Sequence, residues 1–478
     1  MQSALDAASS FIWGPFFLIP LLLIVGVYLT VRLRGLQFRV LFHALWLALV
    51  RRTEKGSTAK GDISHYQALS TALAATVGVG NIAGAALAIG VGGPGALFWM
   101  WITGLLGMAT KYSEALLGVK YRRLDSKGEM SGGPMFYLRH GLAEKFGPGT
   151  GGARFGVVLG ILFALFGAVA SFGIGNMTQA NAVASQLDST FGIPTWASGL
   201  GMVVLVGAVI LGGIKSIGRF AAGAVPLMII AYVISALLVL AVHVADIPAA
   251  LALVVSDAFT GTSVVGGFAG ATFLLAMQQG MARGIFSNES GLGTGGIAAA
   301  AARTGQPVRQ AMVSMTQTFI DTIVVVTMTG LVIIVTGAWS TQAETGDGAL
   351  MTNWAMTEAF GGISPALAPL GGYVVAISLM FFAFTTLVGW SYYGERCLDF
   401  LVGRAAVLPF RLLFVAVAYV GATSELSLAW TFSDVANGLM AVPNLVGLLV
   451  LSSVVIAETR KYFAEPDWKD PDLVDARS

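Results

Sequence analysis

The feature that most restricts this chain is a recurrence of apolar runs, each about 20 residues long, from its first residues almost to its last. As α-helix, such a run rises about 30 Å, the hydrocarbon thickness of a bilayer. Only 11% of the 478 residues are charged and 56% are hydrophobic, whereas a soluble globular protein carries about 25% charged residues. A water-exposed surface for so long a chain cannot be made from so few charges. The fold class expected is therefore an all-α membrane protein, with the lipid bilayer as its surroundings. The net charge of +2 does not bear on nucleic acid, and none is expected as a partner. The single cysteine, Cys397, excludes an internal disulfide and a cysteine metal cluster. The first residues, MQSALDAASS, lack the positive region of a secretory signal, so the first apolar run reads as a retained span. The 61 glycines suit close approach of helices in lipid and also supply points where a helix can unwind.

Eleven spans are expected, near 11–31, 64–91, 94–118, 154–187, 194–213, 220–243, 267–300, 309–338, 364–397, 405–423 and 427–458. A shorter stretch, 38–50, carries Arg39, His43 and Trp46 and is expected at the interface. Cytoplasmic loops carry an excess of Lys and Arg, which sets the direction. With the N-terminus outside, Arg51, Arg52, Lys55, Lys120, Arg122, Arg123, Lys215, Arg303, Arg404 and Arg460 fall inside. The loops 188–193, 244–266 and 339–363 have no Lys or Arg, only acids such as Asp188, Asp257 and Asp347, and fall outside. The same rule makes 427–458 one span, kinked at Pro443, with a cytoplasmic C-terminus. Setting the first span aside leaves two halves of five. An odd number per half makes the halves inverted, as in many secondary transporters. The expected organisation is an N-terminal helix and interfacial segment over 1–60, repeats over 61–243 and 244–459, and a cytoplasmic tail over 460–478.

Two spans are expected to be interrupted. The second contains Thr76-Val77-Gly78-Val79-Gly80-Asn81 at mid-depth. The seventh contains Gln278-Gln279-Gly280-Met281-Ala282-Arg283-Gly284, followed by Ser287 to Gly293, and is the most polar span of the chain. A charge at mid-membrane costs at least about 2.5 kcal/mol, so such a segment should face a cavity or protein. With the first span set aside, these two are the first helices of the two halves, where interruption points to a transporter's binding site. Unwound helix bares amides suited to a carboxylate and carbonyls suited to sodium or an ammonium group. A zwitterionic amino acid with a cation matches both.

The stretch Gly92 to Gly107, GGPGALFWMWITGLLG, resembles the signature of the alanine/glycine:cation symporter family, and Arg283 to Gly293 and Asp434 to Asn444 (DVANGLMAVPN) are similar to further blocks of that family. The resemblance covers essentially the whole chain. It implies a LeuT-type fold, a 5+5 inverted repeat preceded by one helix, in a bacterial or archaeal plasma membrane. It also implies sodium-coupled, less often proton-coupled, uptake of alanine or glycine, with D-alanine often accepted and no other cofactor. By the same resemblance Thr76, Gly78, Val79, Gly80 and Asn81 would hold the substrate carboxylate, and Gln179 would be a polar contact from the fourth span. Sodium would lie between the carbonyls of Ala74 and Val77 and the hydroxyls of Thr385 and Thr386, although such hydroxyls also bond back to their own helix. Trp390, on the face of Thr386, either caps the pocket, leaving room for a methyl side chain, or packs at a helix interface. Met277 and Gln278 would wall the pocket where the seventh span breaks.

Other charges have two readings. Asp321 either binds a proton or cation, or pairs with Arg283 or with Thr318 or Thr322. Arg283 and Glu289 form either a gate or a static pair. Lys111 and Glu114, three apart, read as a local pair. A membrane-embedded enzyme would need a nucleophile with a base, or clustered metal ligands. The sequence has no G-x-S-x-G, no H-E-x-x-H and only scattered histidines. A channel would show a pore loop or a ring of charges. Symport by alternating access, with sodium the only metal, is the expectation.

Overall fold

The computed structural model describes residues 2–52, 60–260, 269–424 and 427–469; expectations on Lys55, on 261–266 and on the tail beyond 469 lie outside the described residues. The chain opens with α1 (Gln2–Ile12) and α2 (Leu18–Arg32), so the first expected span is divided. Gly14 and Pro15 account for the break, since proline pushes the preceding residue out of the helical region. The interfacial stretch is α3 (Leu36–Arg39), α4 (Leu41–Trp46) and a π-helical turn to Arg51.

A capping box starts α5 (His65–Thr76): Ser64 Oγ accepts from Gln67 N at 3.2 Å and Gln67 Oε1 from Ser64 N at 3.0 Å. After a break come the π-helical Gly80–Gly84 and α6 (Ala85–Gly92), the second half bent by 56° from the first. Next are α7 (Gly95–Lys120), a hairpin of β1 (Arg123–Leu124) with β2 (Met130–Ser131), and α8 (Pro134–Phe146). The helix α9 (Gly151–Phe172) continues through π-helical Gly173–Met177 into α10 (Thr178–Phe191). Then follow α11 (Thr195–Ile210), α12 (Gly213–Val242) and α13 (Ile247–Thr260).

The second broken helix is α14 (Ala269–Asn288) and α15 (Thr294–Ala300). After it, α16 (Pro307–Thr318) passes through π-helical Phe319–Val326 into α17 (Thr327–Val335). The chain ends with α18 (Ala338–Thr341), α19 (Gly348–Ile363), α20 (Ala368–Val402), α21 (Val407–Thr423) and α22 (Ser427–Ala464). The last is one continuous helix through Pro443, as the positive-inside argument requires.

Among the described residues six continuous helices are long and apolar enough to cross a bilayer: Gly151–Phe191, Gly213–Val242, Pro307–Val335, Pro365–Val402, Arg404–Thr423 and Thr431–Ala464. The bent pair His65–Thr76 with Gly80–Gly92 makes a seventh. The other expected spans fall on α2, α7, α11 and α14 with α15. The surface is that of a protein in lipid. On α12, Leu227, Ile230, Ile234 and Leu238 recur at helical spacing and are exposed, while Val225, Tyr232, Ala236 and Val239 on the opposite face are buried.

Three expectations are corrected. The loops 244–266 and 339–363 are not plain loops, for they contain α13, α18 and α19. These helices are tied down: Asp257 Oδ2 accepts from Gly95 N at 2.7 Å, a carboxylate on the N-terminus of α7, and Asp347 Oδ1 caps α19. The helix α8 was not expected either. The third correction concerns the seventh span. Residues 278–284 are continuous helix within α14, and the interruption lies further on, at 289–293.

Candidate functional site

At the first break, Gly78 N donates to Asn81 Oδ1 at 2.9 Å and Val79 N to Gln179 Oε1 at 3.4 Å. Both amides thus turn away from the α5 carbonyls four residues back, those of Ala74 and Ala75, which lose their helical donors. Asn81 holds the bend open from the other side, since its Nδ2 donates to Asp321 Oδ1 at 2.7 Å. The remaining oxygen of Asp321 accepts from Ser287 Oγ and Thr322 Oγ1, each at 2.8 Å. Asp321 therefore joins both broken helices to the π-helical segment 319–326. Of its sequence-stated partners Thr322 is present, while Arg283 is elsewhere.

At the second break Glu289, Gly291 and Gly293 all have positive φ, +56°, +95° and +89°. Glu289 lies at the left-handed helical value that a side chain can adopt, whereas the larger φ of Gly291 and Gly293 favours glycine. Glu114 of α7 caps the bared amides: its Oε1 accepts from Gly291 N at 2.9 Å, Gly293 N at 3.0 Å and Asn444 Nδ2 at 2.8 Å. Lys111 Nζ donates to Glu289 O at 3.0 Å and lies 3.8 Å from Glu114 Oε2. The expected local pair is real, yet both partners also serve the break. Glu289 points to the middle of the bundle, where its oxygens accept from Trp390 Nε1 at 2.7 Å and Thr294 Oγ1 at 2.6 Å. No Arg283–Glu289 pair forms among the described residues, so the expected gate pair is corrected: the carboxylate is already bonded and the guanidinium lies at another level.

Between the breaks is a cavity of about 10 Å3, lined by Ala75, Thr76, Gly78, Gly80, Ile174, Gln179, Phe286, Glu289, Leu292, Thr386, Trp390 and Asn437. It admits about one water-sized sphere, so its walls must part for anything larger. Thr386 packs against Gly78, and Gly389 lets α20 lie on the backbone of Ala75, where a Cβ would come within 2.6 Å of Ala75 N. Gln179, at the start of α10, is tied to the π-helical turn 173–177, its Nε2 donating to Ile174 O at 3.1 Å. The ring of Trp390 lies over Gly175.

Above the cavity is a vestibule of about 670 Å3, walled by Val79, Gly80, Asn181, Gln186, Arg283, Phe286, Asp347, Leu379 and Asp434 among others. Phe286 and Gly80 line both spaces, so this ring separates them. A side chamber of about 160 Å3 holds Trp13, Gln278, Gln279 and Arg283. The structure brings together Thr76, Gly78, Gly80, Gln179, Thr386, Trp390 and Glu289, with Val79 and Asn81 adjoining through their bonds. It does not bring Gln278, whose Nε2 donates to Trp13 O at 3.3 Å, into the cavity, and Met277 is likewise absent from the lining. The cause is the displaced break, which leaves both on intact helix. Thr385 turns from the break toward Met228 Sδ, at 3.5 Å. Thr385 and Thr386 both donate to Phe382 O, at 2.9 and 3.0 Å, leaving their lone pairs free. Ala74 is fully buried behind the cavity.

The helix α20 orders the levels of the site. Leu379 is in the vestibule, Thr386 and Trp390 are in the cavity, and Glu395 and Arg396 are in a charge cluster about 25 Å below Leu379 at 1.5 Å per residue. There Arg396 pairs with Asp125 at 3.1 Å, Glu129 at 2.8 Å and Glu395 at 2.9 Å. Arg404 pairs with Glu129 at 2.6 Å and Arg411 with Glu395 at 2.7 Å. Burial would raise the pKa of Asp125, but backbone amides of Glu129 and Lys127 and the Arg396 guanidinium outweigh it and hold the carboxyl below its ordinary value. Arg122 clamps the same end, donating to the carbonyls of Ala300, Ala302, Lys60 and Thr304 at 2.6–2.9 Å. Among the described residues these bonds tie this end together, whereas the vestibule lies at the other end.

Glu114, Phe286, Asn437 and Asn444 were missed as site residues. An acid within a span was the available signal for Glu114, and its i,i+3 lysine diverted it. Among the described residues no group of three or more His, Cys, Asp or Glu is placed to hold a metal.

The fold is LeuT-like: the crystal structure of MhsT in complex with L-phenylalanine superposes with a TM-score of 0.59 at 15% identity, over 84% of this chain and 93% of that one. The sodium/alanine symporter AgcS of Methanococcus maripaludis is 48% identical over 96% of this chain and 97% of its own. A putative sodium/proton-dependent alanine carrier protein of Bacillus subtilis, YrbD, is 34% identical over 92% and 88%. The family model described as sodium:alanine symporter family matches residues 1–473, and on that match and the AgcS identity this chain is a multi-pass membrane protein belonging to the sodium:alanine symporter family of transporters.

Proposed function

We propose that this protein imports alanine or glycine together with sodium by alternating access across a prokaryotic plasma membrane. The observation that carries the reading is the meeting of two interrupted helices on one central cavity, beneath a vestibule. The similarity to a sodium/alanine symporter supports the substrate and the ion. Eleven spans are proposed, with α5–α6 and α14–α15 as the first helices of two inverted halves, 61–243 and 244–459, after an N-terminal helix. The basic cluster end faces the cytoplasm by the positive-inside rule.

In this reading the bent backbone at Thr76 to Asn81 takes the substrate carboxylate, and Gln179 and Thr386 complete the polar wall. Trp390 limits the side chain to a methyl group or a hydrogen. The Ala74 carbonyl, freed of its helical donor, joins the Val77 carbonyl and the hydroxyls of Thr385 and Thr386 around sodium, a hard cation that takes oxygen ligands. Donation to Phe382 O leaves the Thr386 lone pairs free beside Gly78, so back-bonding and ion binding coexist there, whereas Thr385, which faces Met228, must turn to reach the ion. Asp321 acts mainly as a tie between the broken helices.

The test is purified protein in liposomes. Labelled alanine should accumulate only under an inward sodium gradient, and D-alanine and glycine should compete. Uptake driven by a proton gradient alone would transfer the coupling to protons; the name of the YrbD relative gives both sodium and proton for that protein. Uptake indifferent to both gradients would remove symport.

A further inference from the structure

The helix α22 contributes neither break, yet it places one amide in the cavity. Asn437 is fully buried and lines the cavity with Glu289, Gln179 and Thr386. Neither its Nδ2 nor its Oδ1 has a hydrogen-bond partner among the described residues. Buried amides are almost always bonded, because a carbonyl and two N–H groups stripped of water without replacement destabilise the fold. About two helical turns further along the same helix, Asn444 is the satisfied counterpart. Its Nδ2 donates to Glu114 Oε1 and Gly291 O, each at 2.8 Å, and its Oδ1 accepts from the Tyr137 hydroxyl.

The other polar walls of the cavity are also engaged: Gln179 with Val79 and Ile174, Thr386 with Phe382, and Glu289 with Trp390 and Thr294. Asn437 alone among these polar side chains holds a donor and an acceptor with nothing to meet. We propose that Asn437 is a direct ligand of the transported substrate. Its amide matches the pairing of ammonium and carboxylate on a small α-amino acid. The assignment rests on the amino-acid symport reading and deepens it by adding a ligand from α22. It also explains why an idle amide is kept in a closed cavity: its partner arrives with the substrate.

The test uses full-length protein in detergent, with Asn437→Ala, which leaves room for substrate, and Asn437→Val, which fills space without polarity. Thermal unfolding is read with and without sodium and a panel of amino acids, and labelled-alanine binding is measured at saturating sodium. The expected result is ligand-free melting unchanged or raised, an unaltered sodium effect, and alanine affinity weaker by about tenfold or more. Affinity within about twofold of the parent would overturn the proposal and leave the amide to a resident water. Lost affinity together with lower ligand-free melting would also overturn it, by making Asn437 a structural residue. If the parent protein binds a different amino acid and the variants lose it, the alanine reading fails while the assignment stands. Binding of none of the panel overturns both.

Discussion

Trp390 combines two jobs in one side chain, a wall and a donor. Its ring bounds the cavity, and its Nε1–H reaches Glu289 Oε1 at 2.7 Å. These jobs separate by substitution. Trp390→Phe keeps most of the wall and loses the bond. The bond lies within the protein, and leaving the buried Glu289 oxygen unpaired costs about 1–3 kcal/mol, so ligand-free melting should fall with little change in selectivity. Trp390→Ala should instead admit larger amino acids, read by competition against labelled alanine; unaltered selectivity would take Trp390 out of the pocket. The two threonines separate similarly. Thr386 adjoins Gly78 whereas Thr385 faces Met228. Thr386→Val should therefore raise the half-saturating sodium concentration more than Thr385→Val, and the double change should raise it most. Equal, small effects would move the ion elsewhere.

At the scale of elements, each broken helix is held open by a side chain from a neighbour. Asn81 and Asp321 serve the first, Glu114 and Asn444 the second. Glu114→Ala would strip an acceptor from three buried donors, each costing about 1–3 kcal/mol when left unpaired. We expect a large fall in melting temperature, with Glu114→Gln intermediate because it keeps one oxygen. Equal melting of all three proteins would mean that the second break holds without this cap. The π-helical turns belong to the same scale. Three of them, at 80–84, 173–177 and 319–326, lie beside the site; the first and last hold Asn81 and Asp321, and the second ties Gln179 of α10 through Ile174 O. Such turns often mark functional sites, but no residue pattern in the sequence announces them. The first break was legible because Gly78 and Gly80 stand in an otherwise apolar run. The second was misplaced because polarity begins at Gln278, whereas the glycines that turn the chain are Gly291 and Gly293. Polar residues at 278–284 face side chambers along intact helix instead.

For the whole molecule, a vestibule lies above the cavity and, among the described residues, a network of ion pairs lies below it. On the proposed alternating-access reading, inward release would require the cluster around Arg396 and the Arg122 clamp to part. Cys397, the only cysteine, is buried beside that cluster and so reports on it. Breaking the cluster with Asp125→Asn and Glu129→Gln should raise the rate of thiol labelling at Cys397, and sodium should slow it. Labelling that ignores both would detach the cluster from gating. The pH dependence follows from the lowered pKa of Asp125. Its contribution is fully present above the ordinary Asp value of about 3.9 and is lost as pH falls through the lower folded value. Cys397 labelling should thus be insensitive to Asp125 titration between about pH 5 and 8.

The sequence by itself determined the solvent, the helical class and the family. Each of these depends on composition, on run length or on contiguous blocks such as Gly92 to Gly107, which survive without any knowledge of packing. It also located the first break and most of the residues around the cavity. Only the tertiary structure decided that α13 and α19 are helices, that the second break lies at 289–293, that Arg283 and Glu289 stand at different levels, and that Glu114 and Asn437 belong to the site. The physical reason is that these depend on which buried donor meets which buried acceptor across residues far apart in the chain, such as Glu114 and Gly293, and spacing along a single helix cannot specify that.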